Sequence, residues 1–158
     1  MKIRPVIKRD IPRIIKLIAE IWNEYDCVLD TETEEKALLA PGEFFRARNG
    51  EFWIAAEKTK IVATVAVMLD KKKNAELKYL YVGKDFRKIG LGEKLTRTAI
   101  KFAEMKGAAE MILWSDTRFT KAHKLYEKLG FEQFGERQLR DLNNSKEIGF
   151  RLKLAVSA

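Results

Sequence analysis

Apolar residues switch between two spacings along the chain, and the switches mark the elements. Residues 2–7 alternate as a strand does, and Ile14, Ile15, Ile18, Ile21 and Trp22 then recur at helical intervals. Asp10 stands ahead of that helix as an N-cap, with Pro12 in the first turn, where a missing N–H costs little. Residues 33–48 form a second, weaker helical region interrupted near Pro41-Gly42. Two strands follow at 52–57 and 61–69, around the turn Lys58-Thr59-Lys60. A turn at 71–74 leads into a strand at 76–82, rich in aromatic and branched residues. After a loop at 83–89, residues 90–106 read as a helix. Its apolar stripe is Leu91, Leu95, Ala99 and Phe102, its polar stripe Lys94, Arg97, Lys101 and Glu104, and Gly107 ends it. A strand at 110–115, a helix at 119–129 stopped by Gly130, and strands at 131–137 and 146–154 complete the chain.

The order β-α-α-β-β-β-α-β-α-β-β, without repeats or linkers, predicts one domain over residues 1–158. Three consecutive strands before a β-α-β unit predict a mixed α/β (α+β) sheet with helices on both faces. The crossover from strand 76–82 to strand 110–115 should be parallel and right-handed.

Composition narrows the function. Apolar residues at 46% and charged residues at 34% fit a globular chain. There is no apolar run of the roughly 20 residues that cross a bilayer and no apolar signal-peptide core, so the expectation is a cytoplasmic protein without membrane contact. With one cysteine, Cys27, and one histidine, His123, neither a disulfide within the chain nor a structural zinc site is expected, and no metal is invoked. The net charge of +8 fits a nucleic-acid binder, a binder of a small polyanion, or a solvated lysine-rich surface. No aromatic-rich basic repeat or recognition helix accompanies the charge, so no nucleic acid is expected.

The turn Arg87-Lys88-Ile89-Gly90-Leu91-Gly92 joins the strand at 76–82 to a helix start. Helix starts leave backbone N–H groups unpaired and carry partial positive charge, and glycine lets a ligand approach the backbone. The turn is therefore either an anion site or only a tight connection. Its spacing is neither the Rossmann Gly-x-Gly-x-x-Gly nor a Walker loop.

The segment Ala75-Glu76-Leu77-Lys78-Tyr79-Leu80-Tyr81-Val82, followed by Arg87-x-x-Gly90-x-Gly92, resembles motif A of the GNAT superfamily of acetyl-CoA-dependent N-acetyltransferases. The stretch Ala122-His123-Lys124-Leu125-Tyr126-Glu127-Lys128-Leu129-Gly130-Phe131 is similar to that family's motif B. The resemblance implies a mainly antiparallel sheet of six to seven strands, with acetyl-CoA lying between two splayed parallel strands, 76–82 and 110–115. It implies a bulge near Leu80 to Val82, where Leu80, Tyr81 and Val82 offer backbone groups to the pantetheine arm. It implies that backbone N–H groups from Arg87 through Lys88, Ile89, Gly90, Leu91 and Gly92 cradle the diphosphate, with Arg87 and Lys88 adding charge. Motif B sequences commonly carry Asn where this chain has Phe119, so Thr117 or Thr120 is expected to replace that amide.

Amide formation from a thioester needs an unprotonated amine, and a lysine-like amine has a pKa of about 10.4. By resemblance Glu76 is the base, or an exposed strand-end carboxylate. It lies roughly 13 Å of strand before Leu80 and would act through water. Tyr126 is the acid for the departing thiolate, or a buried core tyrosine between Ala122, Leu125 and Leu129. A backbone N–H near Leu80 or Tyr81 would stabilise the tetrahedral oxyanion. Trp22, Tyr25 and Asp26 fall where relatives line the acceptor pocket, and Trp114, Asp116 and Arg118 end the other splayed strand. His123 reads as structural or exposed, and Cys27 as a small buried side chain. The acceptor is a small amine or amino acid, or a protein amine, and the acidic stretch 32–35 either favours a cationic acceptor or starts a helix. The chain would work as a monomer or homodimer. The alternative is a non-catalytic acyl-CoA-binding sensor.

Overall fold

A computed structural model describes residues 1–155, so residues 156–158 of the expected domain lie outside the described residues. Seven strands form one open sheet: β1 (Lys2–Pro5), β2 (Glu51–Glu57), β3 (Lys60–Leu69), β4 (Ala75–Val82), β5 (Glu110–Asp116), β6 (Glu132–Gln138) and β7 (Lys146–Lys153). Their spatial order is β1-β2-β3-β4-β5-β7-β6. Every neighbouring pair is antiparallel except β4 and β5, which run parallel.

Four helices cover the two faces: α1 (Ile11–Asn23), α2 (Pro41–Arg46), α3 (Leu91–Met105) and α4 (Thr120–Lys128). Strand alternation sends successive side chains to opposite faces, which explains how two cores form on one sheet. Phe52 and Ile54 of β2 meet Ile14, Ile18 and Ile21 of α1 and Phe45 of α2. Trp53 and Ala55, one residue out of phase, join Leu91, Leu95, Ala99 and Ala103 of α3 and Tyr126 of α4.

Two local expectations change. The region 33–48 is not one interrupted helix but a 3-10 turn, Lys36–Leu39, followed by α2. Pro41 begins α2 at a position where no N–H is needed, instead of breaking a longer helix. Asp10 precedes α1 as expected, yet its side chain does not cap that helix. It accepts the Ile7 N–H at 2.9 Å and both Arg4 guanidinium N–H groups at 2.8 and 2.9 Å, clasping β1 to the turn before α1.

The parallel pair is short. β4 and β5 share only the positions Ala75↔Met111 and Glu76↔Ile112, after which they diverge. On its other edge β4 carries a bulge. Thr64 faces Tyr81 and Ala66 faces Lys78, so Tyr79 and Leu80 together oppose Val65. The resemblance implied this bulge near Leu80 to Val82, and it stands slightly earlier. Tyr79 occupies the left-handed region at φ 55°, and its carbonyl accepts the buried Thr64 hydroxyl at 2.7 Å.

Asp10 supplies a test of the first clasp. Burial alone would raise its pKa, but the Arg4 hydrogen bonds and the Ile7 N–H outweigh burial and hold it below the usual carboxylate value. A depressed folded pKa stabilises the protein fully above the unfolded value of about 3.9, and the contribution is lost as pH falls through the folded value. Asp10→Asn is expected to lower unfolding free energy by about 2 kcal/mol at neutral pH, with the gap to wild type narrowing below about pH 4. Denaturant melts at both pH values measure this.

Candidate active site

The divergence of β4 and β5 opens a cleft of about 950 Å³ between Leu77–Val82 on one side and Leu113–Asp116 on the other. Backbone groups of β4 that would have bonded β5 lose their sheet partners beyond Glu76. Those groups form an edge on which an extended ligand can pair as an added strand. Glu76, the last residue of β4 paired with β5, stands at the apex of the V.

The bulge sorts the side chains of β4. Leu77, Leu80 and Val82 pack toward the α3 core, while Tyr79 and Tyr81 pack toward the α1 core. Without the extra residue, Tyr79 and Tyr81 would share a face with Leu77, because strand side chains alternate strictly.

At the wide end of the V, the turn after β4 delivers the start of α3. Gly90 holds φ 81°, which a side chain with a Cβ adopts only under strain. The first bond of the helix runs from the Lys94 N–H to the Gly90 carbonyl, so the N–H groups of Leu91, Gly92 and Glu93 lack partners within the helix. Lys88 lines the same end, together with Lys121, Lys124 and Lys128 of α4. Arg87 does not offer a free charge. Its guanidinium makes two 2.8 Å bonds to Glu24, just past α1, and its Nε donates to the Val82 carbonyl at 2.9 Å. The Arg87 contact holds the Glu24 carboxyl below its usual pKa. Arg87 therefore braces the turn against α1.

Tyr126 is 4% exposed and sits among Phe131 and Phe150, with ring centroids 5.7 and 5.5 Å away. It also lines the cleft. Burial pushes its pKa up, so the phenol keeps its proton at neutral pH. Tyr81 is pushed up too, first by burial and further by the charge of Glu35. Trp22 N–H favours the Tyr81 phenolate electrostatically, but the pair falls short of a formed hydrogen bond, so Trp22 Nε1 is a buried donor without a partner among the described residues.

The remaining expected residues divide. Trp22, Tyr25, Trp114 and Asp116 line the cleft, with Leu80, Tyr81, Val82, Lys88, Gly90, Leu91 and Gly92. Asp26, Ile89, Thr117 and Thr120 are absent from its lining. Ile89 is 65% exposed, and the Thr117 N–H is used on the Lys146 carbonyl at 2.9 Å. Phe119 itself lines the cleft, with ring centroids 4.8 Å from Tyr25 and 6.1 Å from Tyr81. An aromatic junction therefore stands where motif B sequences commonly carry an amide. His123 is buried, with Nε2 3.1 Å from Ser115 Oγ and 3.0 Å from the Asp116 carbonyl oxygen. Burial lowers its pKa, as suits a neutral structural imidazole. Burial likewise raises that of Cys27.

Several lining residues escaped sequence reasoning. Lys121, Lys124 and Lys128 recur at helical spacing on one face of α4, a signal present in the chain. Glu35 was visible only as the end of the acidic stretch 32–35, and Glu147 and Asn143 carry no such signal. Asn143 forms a two-bond clasp with Val28, each bond 2.8 Å, and its carbonyl accepts from Arg118 at 2.7 Å. Arg118 also reaches Asp116 at 3.2 Å and Cys27 Sγ at 2.9 Å. The loop after α1 and the β6–β7 loop thus join across one end of the cleft. No helix among the described residues is long and apolar enough to cross a membrane.

Known proteins share this architecture. The family model described as the acetyltransferase (GNAT) family matches residues 14–131. Human N-acetyltransferase 8 is 30% identical over 131 residues, covering 79% of this chain and 56% of that protein. N-acetylaspartate synthetase of Danio rerio is 30% identical over 117 residues, covering 73% of this chain and 40% of that protein. The chain thus spans about half the length of the curated relatives it matches. Among solved structures, a GNAT-family acetyltransferase of Staphylococcus aureus Mu50 superposes with a TM-score of 0.86 at 20% identity, covering 98% of this chain and 99% of that one. A phosphinothricin acetyltransferase of Sinorhizobium meliloti, solved in complex with acetyl-CoA, gives 0.77 at 15% identity, covering 97% and 88%. The sequence motifs, the parted strands and the match over residues 14–131 agree: the chain belongs to the GNAT family of acetyltransferases.

Proposed function

We propose that the chain is one N-acetyltransferase domain that moves an acetyl group from acetyl-CoA to a primary amine by direct attack in a ternary complex. The observation that carries this reading is the loss of β4–β5 pairing after Glu76↔Ile112, in line with the unpaired N–H groups at the start of α3. A pantetheine arm pairs with the exposed edge of β4 at Leu80 to Val82, and its diphosphate lies on the N–H groups of Leu91, Gly92 and Glu93. Lys88, Lys121 and Lys124 supply the surrounding positive charge. The solved complex of the Sinorhizobium meliloti relative with acetyl-CoA supports the same donor here.

The acceptor enters from the α1 side, past Trp22, Tyr25, Trp114 and Asp116. A carboxylate of the cleft takes the proton that the ammonium must lose, and Glu76 at the apex holds that role in the family resemblance, through water. The nitrogen attacks the thioester carbon, and a backbone N–H near Leu80 or Tyr81 receives the oxyanion. Collapse breaks the C–S bond. Tyr126, kept protonated by burial, donates a hydrogen bond to the departing sulfur.

The name of the Danio rerio relative, an N-acetylaspartate synthetase, supports an amino-acid acceptor, with a small amine or a protein amine as the other classes. One chain supplies every group named, so a monomer suffices and a homodimer is equally compatible. A free buried thiol at Cys27 and a supply of acetyl-CoA suit the cytoplasm.

Thiol release from acetyl-CoA, measured with L-aspartate, L-lysine, putrescine and an alanyl peptide, tests the reading. Turnover with at least one is expected, whereas tight acetyl-CoA binding without turnover on any would make the domain an acyl-CoA sensor. Gly90→Glu brings both backbone strain and a carboxylate to the diphosphate, and is expected to weaken acetyl-CoA binding in calorimetry by about tenfold or more. Unchanged binding would displace the diphosphate from this turn. Tyr126→Phe is expected to lower kcat by about 10²-fold with acetyl-CoA affinity retained.

A further inference from the structure

Four cleft carboxylates, Glu34, Glu35, Glu76 and Asp141, form no ion pair among the described residues. Glu34 accepts the Leu142 N–H and Asp141 accepts from Ser145 within the loops, which leaves Glu35 and Glu76 to compare. Their settings differ. Glu76 lies in the sheet at the apex of the V. Glu35 comes from the loop after α1 and accepts a hydrogen bond from the Tyr79 hydroxyl. That tyrosine is the bulge residue, and its ring is held by Phe45 and Phe52 at centroid distances of 6.0 and 6.1 Å. The backbone of Glu35 is fixed as well. Its N–H donates to the Asp30 carbonyl at 2.8 Å, and its carbonyl accepts from Leu38, a fully buried core residue, at 3.1 Å. Both the carboxylate and its hydrogen-bond donor are thus anchored in packed structure, the condition for a preorganised group.

Such a carboxylate is costly to keep. Removing it from water disfavours its charge, and the Tyr79 bond offsets only part of that cost, so its pKa lies above the usual range. The groups facing it act in both directions: Lys78 of β4 favours the ionised form, while Glu34 of the same loop and Glu147 of β7 oppose it. The electrostatic influence of Glu35 reaches Tyr81, as does that of Tyr126 from the other side of the V. Glu35, Tyr81 and Tyr126 all line the cleft. A cationic ligand seated against Glu35 would relieve the unpaired charge, and the acceptor of this reaction is an ammonium ion before it reacts.

We propose that the Glu35 carboxylate, held by the Tyr79 hydroxyl at the β4 bulge, binds the ammonium of the acceptor and removes its proton. The inference rests on the transferase reading above and assigns the base to Glu35 in place of Glu76. The ammonium gives one proton to Glu35 and becomes a free amine. Its lone pair forms the N–C bond as the carbonyl π pair moves to oxygen. The oxyanion then re-forms the carbonyl, the C–S bond breaks with its electron pair on sulfur, and the second nitrogen proton passes to that sulfur. Glu35 returns its proton to water, so each turnover releases one proton, one CoA thiol and one amide. The acceptor class is an alkylammonium, charged at neutral pH.

The test uses the full chain and whichever of L-aspartate, L-lysine, putrescine or the alanyl peptide supports wild-type thiol release. Glu35→Gln is expected to lower kcat by about 10²-fold near neutral pH, with melting temperature and acetyl-CoA affinity kept. The loss is expected to shrink to about threefold above roughly pH 10, where the amine deprotonates unaided. The acidic limb of the wild-type kcat/KM profile is expected to vanish in the same variant. Tyr79→Phe keeps the carboxylate but removes the bond that favours its charge, so its acidic limb is expected to move to higher pH. A kcat within about threefold of wild type for Glu35→Gln at neutral pH overturns the proposal. So does a loss confined to KM, an unmoved limb in Tyr79→Phe, or an acidic limb abolished by Glu76→Gln and retained in Glu35→Gln. Absence of wild-type turnover with every acceptor is a different result, because it removes the transferase reading on which the proposal stands.

Discussion

One extra residue in β4 governs the site. The bulge at Tyr79 and Leu80 turns Tyr79 and Tyr81 toward α1 while leaving Leu80 and Val82 against α3. The same strand therefore presents an apolar wall to α3 and a phenolic wall to the α1 side, where the acceptor is proposed to enter. The left-handed backbone of Tyr79 costs on the order of 1 kcal/mol. The Thr64 hydroxyl on its carbonyl and the packing of its ring between Phe45 and Phe52 hold it there. A glycine would accept the same backbone more readily, but it would leave a hole in the α1 core and remove the phenol that orients Glu35.

Charge is divided along the V. Lysines from the turn and from α4 gather with the unpaired N–H groups at the wide end, where an anionic donor is to be held. Carboxylates from the α1 loop, β4 and β7 line the other arm, where the acceptor is proposed to enter, and Lys78, Arg118, Arg137 and Arg140 line the cleft as well. The formal excess of +8 is therefore not the informative quantity. Arg87 lines the cleft with its charge already paired: its ion pair with Glu24 fixes the turn relative to α1.

The sheet, its helices and the phosphate turn were legible because their signals are local. Strand alternation, the helical stripe of α3 and the glycine at a helix start can each be read within a short window, and motif B adds Tyr126 in the same way. What escaped depends on partners distant in the chain. Glu35 gains its character from Tyr79, 44 positions away, and Arg87 loses its free charge to Glu24, 63 positions away. Asp10 has the right identity and position for a helix cap, but the Arg4 guanidinium and the Ile7 N–H compete for the same carboxylate and win. Thr117 and Thr120, expected to replace the motif B amide, stand outside the cleft lining, where Phe119 packs between Tyr25 and Tyr81.

The clasp between Asn143 and Val28 joins segments 115 positions apart. Loop-closure entropy rises only with the logarithm of length, about 0.6 kcal/mol per doubling. Joining such distant loops is therefore little harder than joining near ones. Both loops sit outside the ladders of the sheet, and their main attachments at this end are to each other and to Arg118. Lengthening the β6–β7 loop would leave β4, its bulge and the start of α3 untouched, whereas the segment after α1 carries Glu24 and Glu35, which bond Arg87 of the turn and Tyr79 of the bulge. Change is thereby easy on one side of the cleft and constrained on the other: the β6–β7 loop can vary without moving β4, while the segment after α1 is tied to the bulge and to the turn before α3.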